Sequence, residues 1–523
     1  MPQPIIVDIS NPRFMEWLEE QALPGWFLTQ RWFAKKNDGH PLILRFQEFG
    51  LSSDGLMLGL VSDDSGHSQS GSPYLVSFIF VDQAMANELS ENAIVGPIPF
   101  EFSQSPIALV EASATEQGRW ALMKIGAGEA SLEWSIGVVH GRVFEQKNLE
   151  KEKVRWSQDS RWLGVEQSNT SIVFGDEVIL KILRRPGLPG LPNPDAEIPL
   201  ALSLTTADPL TPPVMGVIQA GDDASGVMIG TLCRYLNGAV TGWDLALEAA
   251  AKFVHKRNGQ QQSLENDSIQ EHLQRDLAIR TAELHQALAR IPDNEAFKPV
   301  PIGADEIQKL GLTLRIGAEA IFQRLHESNL KALPESIQAT IQQVISNQSR
   351  YCGAFERLEK FVPEYDGQTV VFAIRHHGDY HLGQVLWTSK QGWQVIDFEG
   401  EPNKSLEARR EKALGLRDVA GMVRSFDYAQ AVAMRQMGAT DAQKRLALEW
   451  RDQMSFVFTN TYFAMVGELE NEIFPLVPES YTLRYQLLDA FILEKNLYEL
   501  MYELEHRPDW VEVPLGGLIS WLE

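Results

Sequence analysis

The stretch HHGDYHLGQVLW sets His377 two residues before Asp379 and five more before Gln384, and WQVIDFEGEP then brings Asp397-Phe398-Glu399. Moving a phosphoryl group to a hydroxyl needs four things. These are a base or orienting group for the attacking oxygen, a divalent cation bridging the phosphates, ligands for that cation, and a positive side chain on the phosphates. Asp379 suits the first role, with His377 and His381 as further candidates beside it, since the attacking hydroxyl must come within hydrogen-bond reach of the base. Gln384 and Asp397 offer the oxygen donors that Mg²⁺ takes, and Glu399 adds a further carboxylate beside them. A bare His-x-Asp is most often an acidic loop beside a buried histidine. The second motif at this spacing makes that the weaker reading.

The spacing from Asp379 to Gln384 equals that of the kinase catalytic loop H-R-D-x-x-x-x-N, with Gln for Asn, and DFE stands where kinases have DFG. The cation that such chemistry needs on the ATP phosphates is expected at Lys181, inside the apolar run VILKIL. A charge there is costly unless paired, and Glu197 is the expected partner. Neither GxGxxG nor GxxxxGK[ST] is present. EQSNTS stands before the Lys strand instead, where Gln167, Ser168, Asn169 and Thr170 are candidates for holding phosphate oxygens.

Short strands and turns are needed to hold these groups. VLWTS and WQVIDF, joined by Lys390-Gln391-Gly392, read as a hairpin that sets Gln384 and Asp397 at neighbouring strand ends. SIVFGDEVILKIL reads as a second hairpin turning at Gly175-Asp176. Residues 15–23 read as a short amphipathic helix stopped by Pro24-Gly25. LILRFQEFG, LMLGLVS and YLVSFIFV follow as strands. From about residue 237 the apolar period becomes helical, at 268–291, 305–326, 334–361, 408–436, 440–470 and 480–506. The expected fold is α+β and bilobal, like a protein kinase: 1–105 an N-terminal cap, 106–236 a β-rich nucleotide-binding part, and 237–523 a helical C-lobe with the catalytic loop.

A hydrophobic content of 44% and a charged content of 22% suit a globular protein with a sizeable core. A net charge of −24 disfavours nucleic acid and anionic membrane as partners. It also means that an ATP site must be locally positive. Cys233 and Cys352 are too few for a disulfide framework or a metal cluster. The first residues lack a signal-peptide pattern and no run reaches membrane-span length, so a cytoplasmic location is expected.

HGDYHLGQVL, VIDFEGEP and RDVAGMVRSFDYA together resemble the signature of bacterial maltokinases, including those fused to trehalose synthase. QRWF at 30–33, EQSNTSIVFGDEVILK, GWDLAL, TAELHQAL and LEKNLYELMYELEHRPDWVEVPL extend the resemblance along the chain. It implies an aminoglycoside-phosphotransferase-like fold and the reaction of maltose with ATP to maltose 1-phosphate and ADP, feeding trehalose and glycogen-type metabolism. It also implies Asp379 as base, Gln384 and Asp397 as Mg²⁺ ligands, and Lys181 with Glu197 on the ATP phosphates. Association with trehalose synthase, as monomer or homodimer, is a further expectation. The tail reads ELEHRPDW where the family is closer to EARNRPxW, which weakens the assignment of the sugar.

A sugar pocket needs carboxylates, cations or amides for hydroxyls, and aromatic faces. Arg424 and Tyr428 are spaced i, i+4. Glu494, Tyr498 and Tyr502 share one helical face, with Lys495 and Arg507 nearby. Such a face is more often helix packing than a ligand site. One alternative is a glucosamine or other amino-sugar kinase, and another is a non-catalytic kinase-like partner of a trehalose-pathway enzyme. A protein kinase is disfavoured by the missing HRD arginine and Gly-rich loop, and a glycoside hydrolase has no motif in its support.

Overall fold

The computed structural model describes residues 7–33, 41–65, 72–144, 159–164, 169–222, 226–257, 272–363, 370–401, 404–467 and 474–522. The chain divides into two compact units: Met1–Ser203, Pro212–Asn237 and Pro402–Arg409 form the first, and Leu204–Thr211, Gly238–Glu401 and Arg410–Glu523 form the second.

Among the described residues, the first unit holds two antiparallel sheets. One runs Leu44–Leu51, Leu56–Asp63, Tyr74–Asp82, Ile107–Glu111, Ile94–Pro97 in spatial order. Side chains alternate between its faces. Leu56, Leu58, Leu60, Leu75 and Ile79 enter one core cluster, whereas Met57, Val61, Val76, Phe78 and Phe80 enter another. Both faces are therefore covered, and Tyr74–Asp82 is buried at every position but the last. Ile107–Glu111 pairs with Tyr74–Asp82, so this sheet extends past residue 105, where the sequence suggested a boundary.

Helical chain covers one face of that sheet, with Phe14, Trp17, Trp26 and Phe27 packed inward. Pro24-Gly25 does not stop it. Pro12–Trp17 passes through a π turn, Leu18–Ala22, into Leu23–Thr29. Pro24 directly follows the π turn, whose widening makes room for a ring that would crowd a regular α-helix.

The second sheet has seven strands: Ser131–Trp134, Gly137–Val143, Val214–Ala220, Val227–Arg234, Val178–Ile182, Thr170–Phe174, Ser160–Trp162. The expected hairpin is present, with Lys181 opposite Ser171 and with Gly175 and Asp176 both at positive φ in the turn.

The second unit is mainly helical. Leu416–Gln436 packs against Gly242–Arg257, Asp441–Gly467 and Tyr481–His506 through residues such as Val419, Met422, Phe426 and Ala433. The pattern at 334–361 is two helices, Glu335–Ser346 and Gln348–Glu359, broken at Asn347. Val240–Thr241, Val385–Thr388 and Gly392–Val395 form a small sheet in which Val385 faces Val395. No helix among the described residues is long and apolar enough to cross a membrane. Desolvation pushes the thiol of the half-buried Cys233 up to about 11 and raises that of the buried Cys352.

Candidate active site

The loop carrying Asp379 is fixed from both sides within the second unit. His377 is 1% exposed. Its Nε2 donates to the carbonyl of Ile396 at 2.9 Å, and its Nδ1 accepts the N–H of Asp379 at 3.3 Å. The partners set this tautomer. With both nitrogens engaged, His377 braces the loop against the end of strand Gly392–Val395 rather than moving a proton. Its ring also lies against Phe398, with centroids 4.9 Å apart.

Asp418, in the first turn of Leu416–Gln436, holds the other side. It accepts the N–H groups of His377 at 2.8 Å and Gly378 at 3.0 Å, and His285 Nε2 lies 3.1 Å from it. His285 Nδ1 is in turn 2.8 Å from the Tyr462 hydroxyl. Burial pushes the Asp418 carboxyl up. The charge of His376, together with the hydrogen bond and the charge of His285, outweighs that and holds it well below the usual carboxylate range. Close approach of this helix requires Gly421, where an added Cβ would stand 2.5 Å from the carbonyl oxygen of Tyr380.

The small sheet brings the expected metal ligands together. Gln384 Nε2 donates to Asp397 Oδ2 at 2.9 Å. A carboxylate oxygen of Asp397 and one of Glu399 lie within 4.8 Å of each other. Asp397 has φ of +65°, an uncommon conformation for a residue with a side chain. The donor set is an amide and carboxylates, which fits a hard divalent cation, with Asp397 and Gln384 as ligands and Glu399 beside them. His381 Nδ1 accepts the N–H of Gly383 at 3.0 Å, capping the turn Leu382–Gln384. Burial lowers its pKa more than Asp379 raises it, so the ring is neutral near neutral pH.

In the first unit, Lys181 is ion-paired with Asp195, which is 3% exposed at its side chain. The partner seen is thus two residues before Glu197 in the same first turn of helix Pro194–Thr205. Asn169 Oδ1 accepts the N–H of Arg184 at 3.0 Å, and Thr170 is buried at the start of its strand. Gln167 and Ser168 lie outside the described residues.

Most of the expected sugar-binding residues are engaged between helices of the second unit. Arg424, 2% exposed, donates to Glu499 at 2.9 and 2.7 Å and pairs with Asp427. The Tyr428 hydroxyl and Arg507 both donate to Glu503, at 3.0 and 2.6 Å. Glu494 accepts from Arg417 at 2.6 Å. Tyr498 and Tyr502 stack on the exposed side of the helix. Lys495 instead reaches the catalytic loop. Its Nζ lies 3.8 Å from Asp379 Oδ1.

Residues 167–400, from the Lys strand to the Asp397 motif, match the phosphotransferase enzyme family, APH. The chain is 23% identical over 427 residues to a glucosamine kinase of Mycolicibacterium smegmatis, covering 80% of this chain and 94% of that protein. It is 23% identical over 356 residues to one from Streptacidiphilus jiangxiensis, covering 68% and 71%. Solved structures of a glucosamine kinase superpose along 98% of the chain. A crystal form has TM-score 0.66, and a complex with glucosamine, ADP and inorganic phosphate has TM-score 0.63, each at 19% identity. The chain is a phosphotransferase of the aminoglycoside-phosphotransferase-like, protein-kinase-like fold. The relatives named above are glucosamine kinases, whereas the sequence motifs resemble maltokinases.

Three residues that hold the phosphotransferase's loop and tail were not singled out from sequence: Asp418, His285 and Glu499. Asp418 lies in the quoted RDVAGM and His285 in TAELHQAL. A carboxylate and an imidazole on otherwise apolar helical faces were the available signal, since burial there demands a partner.

Proposed function

We propose that this phosphotransferase is an ATP-dependent sugar kinase whose acceptor is glucosamine or a related amino sugar. The observation that carries the reading is the pinned Asp379 loop beside the Gln384–Asp397 contact, in a chain whose whole-length relatives are glucosamine kinases.

In this reading Asp379 accepts a hydrogen bond from the acceptor hydroxyl. The hydroxyl oxygen forms a bond to the γ-phosphorus, the bond from that phosphorus to the bridging oxygen breaks, and ADP leaves. The proton passes to Asp379. Asp418, His377 and His285 keep the carboxylate in place, which matters because phosphoryl transfer is governed mostly by positioning and electrostatics. Asp397 and Gln384 would hold Mg²⁺, which would supply charge neutralisation for the phosphates. Lys181, kept in place by Asp195, supplies the cation for the nucleotide. Maltose remains the rival acceptor, supported by the motifs of the catalytic loop and tail. Phosphorus NMR of the product formed from Mg-ATP and glucosamine tests the reading: a sugar phosphate ester supports it, and release of inorganic phosphate alone contradicts it.

A further inference from the structure

Lys495 places a positive charge at the acceptor end of the loop that the reaction above does not use. It leaves helix Tyr481–His506 and brings Nζ to 3.8 Å from Asp379 Oδ1, with the two side chains 26% and 28% exposed. The distance is long for a direct hydrogen bond, so the contact is an ion pair with room to tighten.

The carboxylates beside Lys495 on its own helix have cations of their own. Glu494 is held by Arg417 and Glu499 by Arg424. The other charged or titratable groups around the pair are His377 and His381 of the loop, Asp397 and Glu401 beyond the hairpin, and Asp418 of the neighbouring helix. Burial disfavours the ammonium, but Asp379, Glu499 and Glu401 outweigh it, and Lys495 is held protonated.

We propose that Lys495 is a positioning residue for Asp379: its ammonium holds one carboxylate oxygen and leaves the other to receive the acceptor hydroxyl. The inference rests on the sugar-kinase reading. A held carboxylate need not be ordered at the moment of reaction, so the contribution appears in kcat rather than in acceptor binding.

The test compares Lys495→Met, Lys495→Arg and Lys495→Ala with the unsubstituted enzyme on glucosamine, following kcat, acceptor KM and thermal unfolding. Lys495→Met is expected to lose about 100-fold in kcat, with acceptor KM within about threefold. Lys495→Arg should recover much of that loss. Added methylammonium should restore part of the kcat of Lys495→Ala, an effect that a packing role would not give. A kcat within about threefold of the unsubstituted enzyme in Lys495→Met overturns the inference. So does a loss accompanied by a lowered melting temperature and rescued by neither Arg nor methylammonium. If the unsubstituted enzyme phosphorylates no sugar, the sugar-kinase reading itself fails, a result distinct from either.

Discussion

Asp418 Oδ2 accepts the main-chain N–H of His377 at 2.8 Å, and its Oδ1 accepts that of Gly378 at 3.0 Å. One carboxylate thus fixes two consecutive peptide groups just before Asp379. Asp418→Ala leaves both N–H groups without that partner, at about 1–3 kcal/mol each if they stay buried. A lower melting temperature is expected, with kcat reduced by about 100-fold as the loop drifts. Steady-state kinetics beside a thermal melt checks both.

The same carboxyl predicts an acid-stability signature. Its folded pKa lies below the unfolded value of about 3.9. Its contribution is therefore fully present above that value and is lost as pH falls through the lower folded value. Urea unfolding of the wild type and of Asp418→Asn, from about pH 6 down to about pH 2, should show the variant losing less stability below about pH 4. Identical acid limbs would contradict the assignment.

Lys181 and Asp195 form a pair in which the carboxylate is the more deeply buried partner. Lys181→Met removes the cation beside that carboxylate and is expected to cost about 1–3 kcal/mol, while also raising the KM for ATP. Adding Asp195→Asn should return part of the stability but not the ATP affinity, with a coupling of about 0.5–3 kcal/mol in the double-mutant cycle. Denaturant titrations and ATP saturation curves separate the two effects.

The Gln384–Asp397 contact predicts a metal phenotype. Asp397→Asn keeps the shape but removes a charge from the donor set, and the Mg²⁺ concentration for half-maximal activity should rise about 10–100-fold. An unchanged Mg²⁺ requirement would move the metal elsewhere.

Local order along the chain was open to reading where the physics is local. The hairpin that ends at Asp397 follows from two apolar runs and a turn at Gly392, and the hairpin of Lys181 from Gly175-Asp176. Contacts that depend on distant segments were not. Asp418 reaches a loop some forty positions earlier in sequence. Arg424 and Tyr428 have the chemistry of sugar ligands, yet Glu499 and Glu503 of another helix engage them. Asp195, which the sequence did not single out, pairs with Lys181, because which residues of a first turn face a strand depends on how the helix docks. Pro24-Gly25 failed as a breaker because the helix had already widened into a π turn before it.

The most direct test of the sugar-kinase account is ADP release from Mg-ATP with glucosamine, maltose, glucose, trehalose and an aminoglycoside as acceptors, with Asp379→Asn as control. The account predicts the highest kcat/KM with glucosamine and a loss of about 100–10,000-fold in Asp379→Asn. Turnover with maltose alone would keep the phosphotransferase and replace its acceptor. Folded enzyme releasing no ADP with any of these sugars would contradict the account.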